Sequence, residues 1–175
     1  MKFDMTLQTP ARLHLDAELH DLFSTPTWQG KLELAQTRVQ DFASGLPDIM
    51  AQGTAHFSGN PTATVFDGSL AAREPKTGDW NGNFSFRYQD SKLDVRQLDL
   101  ARAATHTRFQ LNGIVDLVGA EPAPDLQGEW YALSLPLTGK AWLQSPAGKL
   151  RIQSKARHIT LTLDGKLSQG GSFTA

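Results

Sequence analysis

Cysteine is absent from the 175 residues, which removes disulfide frameworks, thiolate metal sites and cysteine nucleophiles together. The compartment stays open, because an oxidising space is occupied safely by a chain with no thiols. No apolar run approaches the roughly 18 to 20 residues that a membrane-spanning helix needs, and no charged-then-apolar leader opens the sequence. Net charge is lacking too. Seventeen Lys plus Arg against 18 Asp plus Glu sum to -1, so the footprint that a polyanion demands is missing and nucleic acid is not an expected partner. There is no G-x-S-x-G elbow, no H-E-x-x-H and no glycine-rich phosphate loop leading into a helix. An enzyme is therefore not expected, nor a cofactor.

What the chain has is period-two alternation of apolar and polar residues, which puts side chains on opposite faces of a pleated strand. Leu13, Leu15, Ala17 and Leu19 alternate with His14, Asp16, Glu18 and His20. Leu32 with Leu34, Phe84 with Phe86 and Tyr88, and Leu93 with Val95 continue the pattern. Phe109, Leu111, Gly113, Val115 and Leu117 form one line, and Leu133, Leu135 and Leu137 another. Leu150 with Ile152, and Ile159 with Leu161 and Leu163, complete the set. Strands apolar on one side only belong to antiparallel sheets. One stretch competes for helix: between Thr37 and Gln52 the positions Val39, Phe42, Leu46 and Ile49 step by three or four. Gly45 and Pro47 would cut any helix there to a turn or two.

A loose repeat accompanies the alternation, an apolar residue two positions before a glycine with apolar residues at alternate positions after it. Examples are Trp28-Gln-Gly30-Lys-Leu32, Trp80-Asn-Gly82-Asn-Phe84, Leu126-Gln-Gly128-Glu-Trp130 and Leu137-Thr-Gly139-Lys-Ala141. Glycines at 53, 68 and 82, and at 113 and 128, recur about every 15 residues, the length of one strand and one turn. Glycine permits a bulge, a sharp bend or close backbone approach, so its repetition predicts a sheet that curves. Turn residues such as Ser58-Gly59-Asn60-Pro61 and Pro122-Ala-Pro-Asp125 fill the intervals. The predicted fold is all-β, a long curved antiparallel meander of about 12 strands with at most one short helix. No internal domain boundary interrupts residues 1–175.

A one-sided sheet hides its apolar face by packing a second sheet on it, by closing into a barrel, or by curling into a trough that contacts an apolar ligand. Alternation continues to both ends, from Phe3-Asp-Met5 to Ser172-Phe173-Thr174, without polar caps. That pattern predicts a segment of a longer array, and with it the open trough. A closed lipid-binding barrel and a structural β-solenoid or adhesin segment are the alternatives.

Lys92-Leu-Asp-Val-Arg-Gln-Leu-Asp-Leu100, Phe109-Gln-Leu-Asn-Gly-Ile-Val-Asp-Leu117, Leu126-Gln-Gly-Glu-Trp130, Leu133-Ser-Leu-Pro-Leu-Thr-Gly139 and Ser145-Pro-Ala-Gly-Lys-Leu150 resemble the AsmA-like family of Gram-negative envelope proteins, in particular its TamB group. The resemblance implies a periplasmic rod folded lengthwise like a taco, in a protein anchored in the inner membrane by a part outside this sequence. Its groove would shield phospholipid acyl chains between the two membranes and support outer-membrane biogenesis. The implied protein partner is the outer-membrane assembly barrel of the same translocation and assembly module. On this reading Leu13, Leu15, Leu32, Leu34, Phe84, Phe86, Leu111, Val115, Leu135, Ile152, Leu161 and Leu163 line the lipid path. Charge placed at Leu135 or Leu111 is expected to spare the fold and abolish transport.

The remaining constellations are weaker. His14, Asp16, Glu18 and His20 share one strand face, but two histidines six residues apart lie about 20 Å apart, too far to ligate one ion. No metal is expected. Lys149, Arg151, Lys155 and Arg157 form a cationic row opposite Leu150 and Ile152, readable as lipid-phosphate contacts or as an edge strand protected by charge. Trp28, Trp80, Trp130 and Trp142 are the largest apolar groups, read equally as groove lining or rim and as packing at strand ends.

Overall fold

The computed structural model describes residues 1–7, 12–41, 48–75, 78–119, 121–135, 143–155 and 158–174. The strands are β1 Lys2–Leu7, β2 Leu13–His20, β3 Thr27–Arg38, β4 Met50–Gly59, β5 Ala63–Glu74 and β6 Gly78–Gln89. They continue as β7 Lys92–Arg102, β8 Thr107–Asp116, β9 Ala123–Leu135, β10 Leu143–Lys155, β11 His158–Lys166 and β12 Ser172–Thr174. Each pairs antiparallel with the next, in a single 12-stranded sheet whose order is the chain order. The sheet is open, since β1 and β12 are its two edges. Neither alternative architecture survives: a barrel would pair the edge strands, and a solenoid would not run as an antiparallel meander.

Local chemistry sets the hairpins. Gln89 pairs with Lys92, leaving Asp90 and Ser91 as a two-residue loop with φ of 51° and 57°, the left-handed pair that matches strand twist. Between β4 and β5 the Asn60 side chain accepts from the Thr62 and Ala63 amides at 2.9 and 3.1 Å, closing an Asx turn around Pro61. Of the candidate helix between Thr37 and Gln52, the described part is strand to Arg38, one 3-10 turn at Val39–Asp41 and strand again from Met50. Phe42 and Leu46 lie outside the described residues. A second 3-10 turn spans Ala103–Thr105, and no α-helix occurs among the described residues.

Three irregularities keep apolar residues on one face where the alternation changes phase. In β3 the register shifts between Leu34 and Thr37. In β7 it shifts between Val95 and Leu98, so that odd Leu93 and Val95 and even Leu98 and Leu100 all face the same way. In β9 Ala132 adopts φ of 51°, and even Leu126 and Trp130 give way to odd Leu133 and Leu135. The partner β10 changes phase at the same level, with Gly148 opposite Trp130 and Ser145 opposite Leu133. Pro146 falls in that gap, where a missing N–H costs least.

Among the described residues the sheet carries no second layer. Among the described residues the buried hydrophobic side chains are Val95, Trp130, Leu133 and Leu150 alone. A compact protein of 19.2 kDa exposes roughly 8400 Å², whereas this chain exposes 11571 Å².

Candidate functional site

Register alone assembles the apolar face. Its central row crosses every strand: Leu7, Leu13, Leu34, Gly53, Leu70, Gly82, Leu100, Phe109, Trp130, Gly148, Gly165 and Phe173 are successive partners. Beside it runs Met5, Leu15, Leu32, Ala55, Gly68, Phe84, Leu98, Leu111, Gly128, Leu150 and Leu163. The next row holds Phe3, Phe57, Phe66, Phe86, Ile152 and Leu161, and Val115 lies in a fourth with Leu19, Trp28 and Leu93. Leu135 joins beyond the Ala132 kink, opposite Leu143. The 12 residues proposed from the sequence as a lipid path therefore share one face. Eleven spacings of about 4.8 Å make that face roughly 50 Å long across the strands.

Large side chains alternate with glycines along these rows, and the glycines act as pits. A Cβ at Gly30 would collide with the Phe57 ring, one at Gly68 with the Phe84 ring, and one at Gly148 or Gly165 with the Trp130 indole. The backbone there is ordinary extended strand, positive φ being confined, among the described glycines, to 78, 113, 170 and 171. Close approach explains the glycines under rings, while Gly53 and Gly113 are the partners at which the β3 and β7 register shifts begin. Rings also stack on one another along the face, Phe84 on Phe86 at 5.0 Å within β6 and Trp80 on Phe109 at 6.1 Å.

Filling is uneven. Trp130, Leu133 and Leu150 form a buried cluster with Phe109, Leu111, Leu135, Ile152, Leu163 and Phe173 packed against it. The indole N–H donates to the buried Ser145 Oγ at 3.0 Å, so its polar atom is satisfied away from water. At the other end Met1, Phe3, Met5 and Leu7 are 42 to 66% exposed. Of the other tryptophans, Trp28 and Trp80 lie half-buried on the apolar face, and Trp142 is outside the described residues. Trp130 is neither at a rim nor at a strand end, and the phase break after it is the sequence signal that could have marked it.

The opposite face is polar. Its central row is Thr6, His14, Glu33, Thr54, Ser69, Asn83, Asp99, Gln110, Glu129, Lys149, Asp164 and Thr174. Depressions of about 1010, 640, 430 and 390 Å³ open here among the described residues, the first running from Thr6 and His14 to Asp99 and Arg108. Asp99, 8% exposed, is the most enclosed acid among the described side chains. Burial pushes its carboxyl up, but hydrogen bonds from Gln97, Gln110 and Arg108 outweigh that and hold it below the ordinary value. Gln97 donates at 2.6 Å and Arg108 at 3.1 Å. Lys2 and Glu18 pair at 2.7 Å, which raises the lysine and lowers the acid. His14 approaches Asp4, His20 approaches Glu18, and no group of three or more metal-ligating side chains gathers among the described residues.

Lys149 and Arg151 also lie on this polar face, away from the apolar rows. Arg151 pairs with Asp125 at 3.3 Å, and Lys149 sits in register between Glu129 and Asp164. Because β10 is flanked by β9 and β11, the edge-strand explanation of these cations fails. Lys155 ends the strand, and Arg157 is outside the described residues. Compared with protein-family models, curated proteins and solved structures, the chain matches none.

Proposed function

We propose that this chain is a segment of an envelope lipid conduit, in which the apolar face shields phospholipid acyl chains on their way between the inner and outer membranes. The observation that carries the reading is the single uncovered apolar face of an open 12-stranded sheet. Each methylene in water costs about 0.8 kcal/mol, so a 16-carbon chain faces on the order of 10 kcal/mol without an apolar surface to follow. Flat rows of Leu and Phe, broken by glycine pits, supply many weak contacts and no enclosing pocket, the condition for sliding rather than tight holding. The mechanism is passive and needs no catalytic residue or cofactor. The sequence resemblance to the AsmA-like family points the same way and adds the periplasm, an inner-membrane anchor elsewhere in the protein, and an outer-membrane assembly barrel as partner. A photo-crosslinking residue at Phe84, on the apolar face, is expected to capture phospholipid in the envelope of a Gram-negative host, and one at Asp94, on the polar face, is expected not to. Equal capture at both positions would defeat the proposal.

A further inference from the structure

Exposed apolar side chains gather at one corner of the sheet. Between β2 and β3 the chain turns through Asp21, Leu22, Phe23 and Ser24, closed by the Ser24 amide donating to the Asp21 carbonyl at 3.1 Å. Tight turns favour Gly, Pro, Asn, Asp or Ser at their tips. On the same rim the β4–β5 and β6–β7 turns comply, with Asn60-Pro61 and Asp90-Ser91. Here the tip is Leu22-Phe23, with Leu22 47% exposed and Phe23 wholly so. Beside it, on the apolar face of β1, Phe3 and Met5 are exposed as well, and Trp28 lies half-buried at the start of β3. The charges next to the tip are Asp21 and the paired Lys2 and Glu18, so the corner has no surplus of cations. A wholly exposed phenylalanine adds nothing to the packing of the fold, and a tip that breaks turn chemistry points to function.

We propose that Leu22 and Phe23, with Phe3 beside them, form a docking corner that inserts into the interfacial layer of a phospholipid bilayer. The proposal rests on the lipid reading above for its occupant and adds where this chain meets a membrane. A protruding tip suits lipid better than protein. A stable protein interface buries about 800 Å² on each partner and seats its anchors in shaped pockets. A bilayer interface has no shape to match and admits apolar side chains to a depth of roughly 5 to 10 Å. An indole set behind the tip suits the same boundary, apolar in body and polar at its N–H. Without surplus cations the attraction is apolar, so zwitterionic lipid suffices and salt has little effect. From the docked corner, the row that begins at Phe3 leads through Phe57 and Phe66 to Phe86, onto the face that carries acyl chains.

Flotation of the chain with phosphatidylcholine vesicles, with and without phosphatidylglycerol and in low and high salt, tests this. The wild-type chain is expected to float under all four conditions. Leu22→Ser combined with Phe23→Asn gives the tip polar turn residues, so urea unfolding should be unchanged while vesicle association falls about tenfold or more. Val118→Asn removes an apolar side chain that is 74% exposed in the β8–β9 turn and is expected to leave association as it was. The docking corner is overturned by a wild-type chain that does not float, by full association in the Leu22/Phe23 variant, or by an equal loss in Val118→Asn. Flotation that needs phosphatidylglycerol and low salt overturns it too, as does a variant that loses only self-association in sedimentation, which would make a second copy the occupant. Crosslinking at Phe84 reads the conduit separately. Capture there without flotation leaves the lipid reading standing and removes the corner, whereas flotation that depends on Leu22 and Phe23 without capture at Phe84 removes the conduit and keeps the corner.

Discussion

The two ends of the sheet are made from the same kind of strand and reach different states. In β1 and β2 the residues Phe3, Met5 and Leu7 stand 42 to 51% exposed over their partners Ala17, Leu15 and Leu13. In β9 and β10 Trp130, Leu133 and Leu150 are buried to 8% exposure or less. Alternation is equally good in both. The difference is a large ring laid across two glycine pits, a hydroxyl that satisfies its N–H, and a third strand that supplies Phe173 from above. A pleated strand thus delivers apolar residues to one face, but a core forms only where a neighbour two strands away has left space for a ring.

The comparison breaks most sharply at Trp130. Trp130→Ala should cost about 3 to 5 kcal/mol, the usual range for emptying an aromatic site, whereas Leu13→Ala, at a half-buried position, should cost less, about 1 to 2 kcal/mol; urea unfolding of both variants measures the gap. Equal losses would show that the two ends are packed alike.

Charge sharpens the same contrast. Leu111 and Leu135 pack against the Trp130 cluster, so they are poor places for the fold-sparing substitution expected of an open trough. Leu32, in β3, is the better one. Leu111→Asp should lose about 2 to 4 kcal/mol, because an ionised group there must give up water or stay protonated. Leu32→Asp should stay folded at 25 °C and lose lipid capture at Phe84, read by thermal unfolding beside crosslinking.

On the polar face effects should be smaller. Asp99→Asn removes a charge-assisted bond to Arg108 and should cost about 1 kcal/mol at neutral pH. Since the folded carboxyl titrates below its ordinary value, its contribution is complete above the unfolded value, near pH 4, and fades as pH falls through the folded one. The gap between wild type and Asp99→Asn in unfolding midpoint should therefore close with acidification. Arg151→Gln, in an exposed pair with Asp125, should change stability by less than about 0.5 kcal/mol and move no lipid readout. A large loss of lipid capture in Arg151→Gln would restore the phosphate-contact reading of that row.

Much of this was legible in the residues. Period-two alternation and turn chemistry are local, set by pleat geometry and backbone dihedrals, so the all-β class, the strand number and the shared face of Leu13, Leu32, Phe84, Leu111 and Ile152 follow from the chain alone. The glycine repeat was visible too, though its reason was not: whether Gly148 serves a bend or a ring depends on Trp130, which sits 18 residues earlier and becomes a neighbour only through pairing. The tertiary structure also decided that β10 is interior, that the cations of Lys149 and Arg151 face acids in adjacent strands, and that the apolar face is buried around Trp130 and left exposed over β1. Those properties are relations between strands. Alternation tells each residue which face it takes, while burial depends on what the neighbouring strands place beside it.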